Sequence, residues 1–423
     1  MGKPRAPKAT RANAAAGARP AAKRRSKRSK TALVLGGGGF TGGVYEIGAL
    51  RALDLLAVDR TVNQFDVYVG TSAGALIAAL AANGVTPEQM MRVVNDQVPQ
   101  PFSDVSLDSL LRPNYREFLG RGLRLPLALV GLAREVGRTL PRLSPVDLAI
   151  ALADLLPSGL YTGAGIEEYL RSALSDPDRT DDFRELACEL YLAATDLDTC
   201  ERIVLGGAGW DDVPISAAVR ASAALPMVYA PTRLKDRELV DGGIVSTTNL
   251  DIAVEAGAKL IVVVNPLVPY VNDFTKEIPT LFGTRTRRVS DMGFPKIGYQ
   301  TFKLLAYQRL HEVARGWRER YPGVDIVLIE PDTDDELMFQ TNILDYRSRL
   351  EVARHGFQSV TVKLAADYDE WRDVLARHGI QISATRVRKV VRHFRAEKAG
   401  NAPAWRRILE QTTSALLRQS AGD

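Results

Sequence analysis

Ser72 lies in Gly70-Thr71-Ser72-Ala73-Gly74, after an apolar run that ends at Val69 and before a small-residue stretch, Ala75 to Asn83, of helical character. Gly-x-Ser-x-Gly between a strand and a helix is the signature of a nucleophile elbow. The turn is too tight for side chains beside the serine, so glycines flank it and the hydroxyl projects into the crevice at the strand's carboxyl end. The following helix aims unpaired N–H groups at the same spot, where they can stabilise an oxyanion. The chemistry such a serine could do is nucleophilic attack, although the same pattern also occurs where a serine only shapes a turn.

A second glycine cluster, Gly36 to Gly39 with Gly42 and Gly43, follows the apolar strand Thr31 to Leu35 and reads as a loop before a helix over Val44 to Leu56. Two adjacent strand–glycine–helix units place both loops at one edge of a parallel sheet, the usual ligand crevice of an α/β fold. One loop can carry the nucleophile while the other offers bare N–H groups to a developing alkoxide. Further along, Leu239 and Val240 lead into Asp241-Gly242-Gly243, an acid at a strand end beside two glycines.

Two other constellations compete for these residues. The four histidines are His311, His355, His378 and His393. Ser72, Asp241 and His311 satisfy the chain order of an α/β-hydrolase triad, but that fold builds several strands before its elbow and Ser72 follows only the second. Gly37-x-Gly39-x-x-Gly42 after a strand, with Asp54 or Asp59 downstream, has the context of a dinucleotide fingerprint. That alternative, a nucleotide-binding module, leaves the Ser72 and Asp241 motifs unexplained.

The elements that must position these residues alternate. Helices are expected over Pro87 to Val98, Tyr161 to Leu174, Ile215 to Ala224, from Leu250, over Lys296 to Arg320 and over Ile343 to Leu364. Strands are expected at Leu190 to Asp196, Ile203 to Leu205, Leu260 to Val264 and Asp325 to Ile329. Over 423 residues, 46% of them hydrophobic, this suits a large α/β enzyme domain with appendages. Two cysteines, Cys188 and Cys200, argue against a disulfide framework and fit a reducing, cytoplasmic setting. No apolar run reaches the roughly 18 residues needed to cross a bilayer.

Met1 to Lys30 holds eleven Lys or Arg and no acid, and without it the formal charge falls from +5 to −6. Such a segment is expected to be a disordered arm, with an anionic membrane surface as a candidate partner and nucleic acid a less favoured one. Pro99 to Leu160 loses the α/β alternation; its apolar stretch Leu123 to Ala133 is expected in a helical insertion or cap. The acids Asp332, Asp334, Asp335 and Glu336 lack the spacing of a calcium loop, and neither metal nor cofactor is called for.

In order along the chain, the motifs resemble those of the patatin-like phospholipase family. Gly37 to Gly42 (GGGFTG) is similar to its glycine-rich oxyanion motif, Gly70 to Gly74 (GTSAG) to its elbow and Asp241 to Gly243 (DGG) to its aspartate motif. Ala221 to Pro226 and Thr195-Asp196-Leu197 resemble its intervening segments, so that the match covers about Thr31 to Pro266. Where the family usually carries Arg or Lys, this chain has Thr41, a neutral hydroxyl that suits a less anionic ester.

The resemblance implies a patatin-like three-layer sandwich, α/β in class, with a mainly parallel central sheet flanked by helices, a helical insertion and a helical C-terminal tail. It divides the chain into a basic arm (1–30), an acyl hydrolase domain (31–365, with the insertion at 99–160) and a basic tail (366–423). It also implies a Ser–Asp dyad acting on lipid esters at a membrane periphery. Ser72 would be the nucleophile and Asp241 the base, with N–H groups of Gly37, Gly38, Gly39 and Ala73 as the oxyanion hole and Gly42, Gly70, Gly74, Gly242 and Gly243 shaping the loops. A catalytically weak lipid-binding protein is the alternative within the same resemblance.

Overall fold

Short runs of β-branched and aliphatic residues build the centre of the molecule, each buried on both faces. The computed structural model describes residues 29–95, 111–120, 156–274, 278–279, 285–341 and 345–398. Its strands are β1 (Thr31–Leu35), β2 (Val67–Thr71), β3 (Gly159–Tyr161), β4 (Glu189–Asp196), β5 (Arg202–Leu205), β6 (Met227–Tyr229), β7 (Thr232–Leu234), β8 (Arg237–Asp241), β9 (Leu260–Val264), β10 (Ile278–Pro279), β11 (Arg285–Thr286) and β12 (Asp325–Ile329). An eight-stranded sheet runs in the order β12-β9-β1-β2-β4-β8-β7, with β5 against β4. The strands from β12 to β4 are parallel, whereas β8, β7 and β5 are antiparallel additions.

The period of two along each strand separates the layers. Leu33 and Leu35 of β1, Tyr68 of β2 and Val262 and Val264 of β9 enter the larger core. It contains α1 (Gly39–Leu56), α2 (Ala73–Ala82), α3 (Pro87–Val94) and the helix Arg349–Ala366. Their alternates Ala32, Val34, Val67, Val69, Ile261 and Val263 face the helices Leu250–Glu255 and Phe294–Arg320. The result is helix, sheet, helix: a mixed α/β fold with further helices at the C-terminal end. Of these, Tyr368–Arg377 and Ala384–Lys398 put Trp371, Leu375 and Val387 into the larger core.

The register around β4 brings two remote segments together. Residues 192 to 195 of β4 pair β5 on one edge; the other edge pairs β2 up to Thr71↔Ala193 and then β8 from Ala194↔Asp241. Strand β8 runs against β2, so the C-terminal ends of the two strands meet head-on at neighbouring rungs.

The structure corrects one boundary that bears on the site. Helix α1 starts at Gly39, so Gly42 and Gly43 are helical and not part of a loop. They are glycines because of packing: a Cβ on Gly42 would lie 3.1 Å from Pro266 Cγ, and one on Gly43 would lie 3.3 Å from the Ala73 Cβ. The short strands β3, β6 and β7, unmarked by any periodicity, are additions to the expected elements. The basic arm up to residue 28, the apolar stretch Leu123 to Ala133 and most of the expected insertion lie outside the described residues.

Candidate active site

The elbow is built by close backbone approach. A Cβ on Gly74 would lie 2.4 Å from Leu35 O, and one on Gly70 would lie 2.5 Å from the Ala75 Cα, so only glycine allows α2 to start this close to β1 and β2. Ser72 is held at φ 56°, ψ −124°, a region costing a non-glycine residue about 1 to 3 kcal/mol. Strain of that size persists only when the surroundings over-determine it. Here the Ser72 N–H donates to Ser222 Oγ (3.0 Å), whose own hydroxyl donates to Ala193 O (2.6 Å). Thr71 is held in turn through its Oγ1, which accepts from Asn249 Nδ2 (3.0 Å).

Asp241 ends β8. Its N–H donates to Ala224 O (3.0 Å), and its carbonyl accepts from Thr195 Oγ1 (3.1 Å). Gly243 N–H donates to the carboxylate at 2.7 Å, and the Ser72 side chain lies beside it. Both contacts favour the ionised form, but burial at 3% exposure outweighs them and pushes the carboxyl up to about 6. Ser72 is 8% exposed. The pair is thus a hydroxyl beside a carboxylate made more basic by its surroundings, with the serine backbone fixed by the Ser222 hydroxyl.

The glycine loop arches over the serine, with a Cβ on Gly37 falling 3.3 Å from the Ser72 Cβ. Gly36 N–H donates to Val264 O (2.9 Å) and Gly37 N–H to Thr247 O (2.8 Å). Gly37 therefore departs from its expected role, because its N–H is committed to a carbonyl brought in from the far side of the crevice. The first N–H groups of a helix have no intrahelical acceptor, which leaves Gly38 and Gly39 at the start of α1 and Ala73 at the start of α2 as candidate donors. Thr41 is buried in the first turn of α1. Gly242 and Gly243 form the short turn after Asp241.

Sequence reasoning missed Ser222, Thr247 and Asn249 as braces of the two loops. Only Ser222 had a signal, its place in the Ala221 to Pro226 segment. Three histidines find acids elsewhere: His311 contacts Glu330 (2.9 Å), His378 contacts Asp325 (2.8 Å) and His355 contacts Asp335. Asp196 caps its own turn through the Asp198 and Thr199 N–H groups and pairs with Arg237. Asp54 accepts from Val62 N–H at the opposite end of α1, about 22 Å from Gly39 at 1.5 Å per residue, so it cannot hold a ribose over the glycine loop. Among the described residues, no group of three His, Cys, Asp or Glu side chains is placed to hold a metal ion.

A family model of patatin-like phospholipases matches residues 33–254, just over half of the chain. The chain belongs to the patatin-like phospholipase family. This patatin-like chain is 23% identical over 229 residues to a probable lipid hydrolase, 463L, of Invertebrate iridescent virus 6, a match covering 53% of this chain and 63% of the viral protein. Over 74 residues it is 36% identical to a cUMP-AMP-activated phospholipase of Escherichia coli, covering 18% of this chain and 23% of that one. Each match spans less than two thirds of the relative. The crystal structure of VipD from Legionella pneumophila is similar at 15% identity and a TM-score of 0.33, over 81% of this chain and 67% of that chain.

Proposed function

We propose that this patatin-like chain is a serine acyl hydrolase of lipid esters, of phospholipase A or lysophospholipase type, working through Ser72 and Asp241. The observation that carries the reading is the strained Ser72 at the end of β2 brought beside the buried Asp241 at the end of β8. The Ser72 Oγ proton passes to Asp241 as Oγ bonds to the ester carbonyl carbon, and the carbonyl π electrons move onto oxygen. Gly38, Gly39 and Ala73 N–H groups receive that oxyanion, each donor being worth about 3 to 4 kcal/mol in such sites. Collapse breaks the bond to the alcohol oxygen, which takes the proton from Asp241. Water then repeats the sequence on the acyl-serine and releases the fatty acid.

The same reading places the domain at 31–365 and gives the arm of residues 1–30 a role in contacting anionic lipid, where each basic residue is worth about 1 kcal/mol. None of the described helices is long and apolar enough to cross a membrane. The test is fatty acid release from mixed phosphatidylcholine and phosphatidylglycerol vesicles, read by mass spectrometry. Wild type should release fatty acid, and Ser72→Ala should fall to background while unfolding at the same temperature. Undiminished release by that variant would sink the scheme.

A further inference from the structure

The glycine loop after β1, the elbow after β2 and the turn after β8 come from distant parts of the chain, and a single bend touches all three. Ser246 N–H donates to Gly242 O (3.2 Å), which keeps the chain close to Asp241. The backbone then doubles back through Thr247, Thr248 and Asn249, all of them buried. On the way Thr247 O takes the Gly37 N–H (2.8 Å). Asn249 closes the bend: its N–H donates to Ser246 Oγ (3.2 Å) and its Nδ2 to Ser246 O (2.6 Å). The second hydrogen on Nδ2 goes to Thr71 Oγ1 (3.0 Å), one residue before Ser72.

The amide of Asn249 has only one orientation that satisfies its neighbours. Ser246 O is a carbonyl and can only accept, whereas the Arg202 guanidinium, 3.3 Å from the other end of the amide, can only donate. Nδ2 therefore faces Ser246 and Thr71, and Oδ1 faces Arg202. Arg202 is fixed in turn by an ion pair with Asp251 (2.7 Å), two residues beyond Asn249. The backbone of Asn249 is left-handed, at φ 49° and ψ 38°, a conformation that asparagine and glycine adopt more readily than other residues.

We propose that Asn249 is a positioning residue whose amide sets the glycine loop, the elbow and the aspartate turn in one register, so that oxyanion donors and nucleophile meet the same ester group. This rests on the acyl hydrolase reading. Without the amide, Thr247 O and the Gly37 N–H bonded to it can shift independently of Ser72. A displacement of about 1 Å costs on the order of a hundredfold in rate. The loss falls on kcat, because these loops hold the reacting atoms and not the remainder of the substrate.

The experiment is steady-state kinetics on p-nitrophenyl butyrate with Asn249→Gly, Asn249→Asp and Thr71→Val. Glycine keeps the left-handed backbone and deletes the amide. Aspartate keeps the shape but turns an acceptor toward Ser246 O, and valine removes the hydroxyl that Asn249 holds. Both Asn249 variants should lose roughly tenfold or more in kcat, with KM within about threefold of wild type. Thr71→Val should lower kcat on its own yet change it by less than about twofold in the Asn249→Gly background, since the two side chains act as one unit. A kcat within twofold of wild type in both Asn249 variants, or losses that multiply fully in the double variant, would overturn the assignment.

Amide hydrogen exchange, read by mass spectrometry, needs no turnover and separates the two proposals. Asn249→Gly should speed exchange by roughly tenfold or more in peptides covering residues 36–43, 70–76 and 241–249, and leave the helix Arg349–Ala366 unchanged. That pattern in a protein whose wild type shows no Ser72-dependent hydrolysis would remove the hydrolase reading alone. Unchanged exchange over 36–43 and 70–76 in an active enzyme would remove the role of Asn249 alone.

Discussion

If Asp241 must accept the Ser72 proton, the pH dependence of catalysis is set by its burial. An ordinary aspartate titrates near 3.9, whereas Asp241 is pushed up to about 6. Only about one tenth of it is ionised at pH 5, and about nine tenths at pH 7. kcat/KM on an uncharged ester should therefore rise with pH through an inflection near 6, with roughly tenfold lost at pH 5 and a hundredfold at pH 4. With an ordinary carboxylate the rate at pH 5 would be almost the full plateau. The shift of about two units corresponds to about 3 kcal/mol at 1.36 per unit. The folded state binds more protons than the unfolded state between pH 4 and 6, so this contribution to stability is lost as pH rises through that window and does not return above it. Asp241→Asn removes the penalty while keeping an acceptor for the Gly243 N–H. It should be inactive yet more stable at pH 7, by up to about 2 to 3 kcal/mol in urea unfolding. The assay is initial rate against pH on p-nitrophenyl butyrate, with circular dichroism marking the folded range. An inflection at or below pH 4.5, or a flat profile over the folded range, would refute the reasoning.

Three further outcomes are expected. Ser222→Ala leaves the Ser72 N–H and Ala193 O without their bridging hydroxyl. It should cost about 1 to 3 kcal/mol of stability and lower kcat more than it raises KM, which steady-state kinetics will check. Glu46 is fully buried in α1, and burial holds its carboxyl well above the usual range; the folded state keeps a proton that the unfolded state releases above about pH 4.5, so stability falls as pH rises. Glu46→Gln should flatten that fall, read as urea midpoints between pH 5 and 8. Gly356→Ala should destabilise by about 1 to 3 kcal/mol or more, since a Cβ there would lie 2.5 Å from Tyr45 O at the crossing of α1 with Arg349–Ala366; an unchanged denaturation midpoint would contradict that packing.

Much of the sheet was legible because its central strands carry their information locally. Leu260–Val264 coincides with its apolar run, and Thr31–Leu35 and Asp325–Ile329 begin one polar residue before theirs, since parallel strands in such a sheet are nearly all apolar. The elbow was legible for a similar reason: the glycines on either side of Ser72 record a backbone approach that no side chain permits. The start of α1 was not, because Gly42 and Gly43 carry the letters of a loop while serving as contact surfaces for Pro266 and Ala73. The commitment of the Gly37 N–H to Thr247 and the placing of Asn249 against Thr71 join segments far apart in the chain, and nothing local marks them. Glu46 shows the reverse failure: a charged letter in a helix reads as surface, yet tertiary packing buries it completely.

The most direct measurement is covalent labelling with a fluorophosphonate, read by intact mass and peptide mapping on wild type, Ser72→Ala and Asp241→Asn. A single adduct on Ser72, absent from the alanine variant and formed much more slowly in the asparagine variant, is the expected result. An adduct on another residue, or labelling of Asp241→Asn at the wild-type rate, would contradict the Ser72–Asp241 pair as the reacting centre.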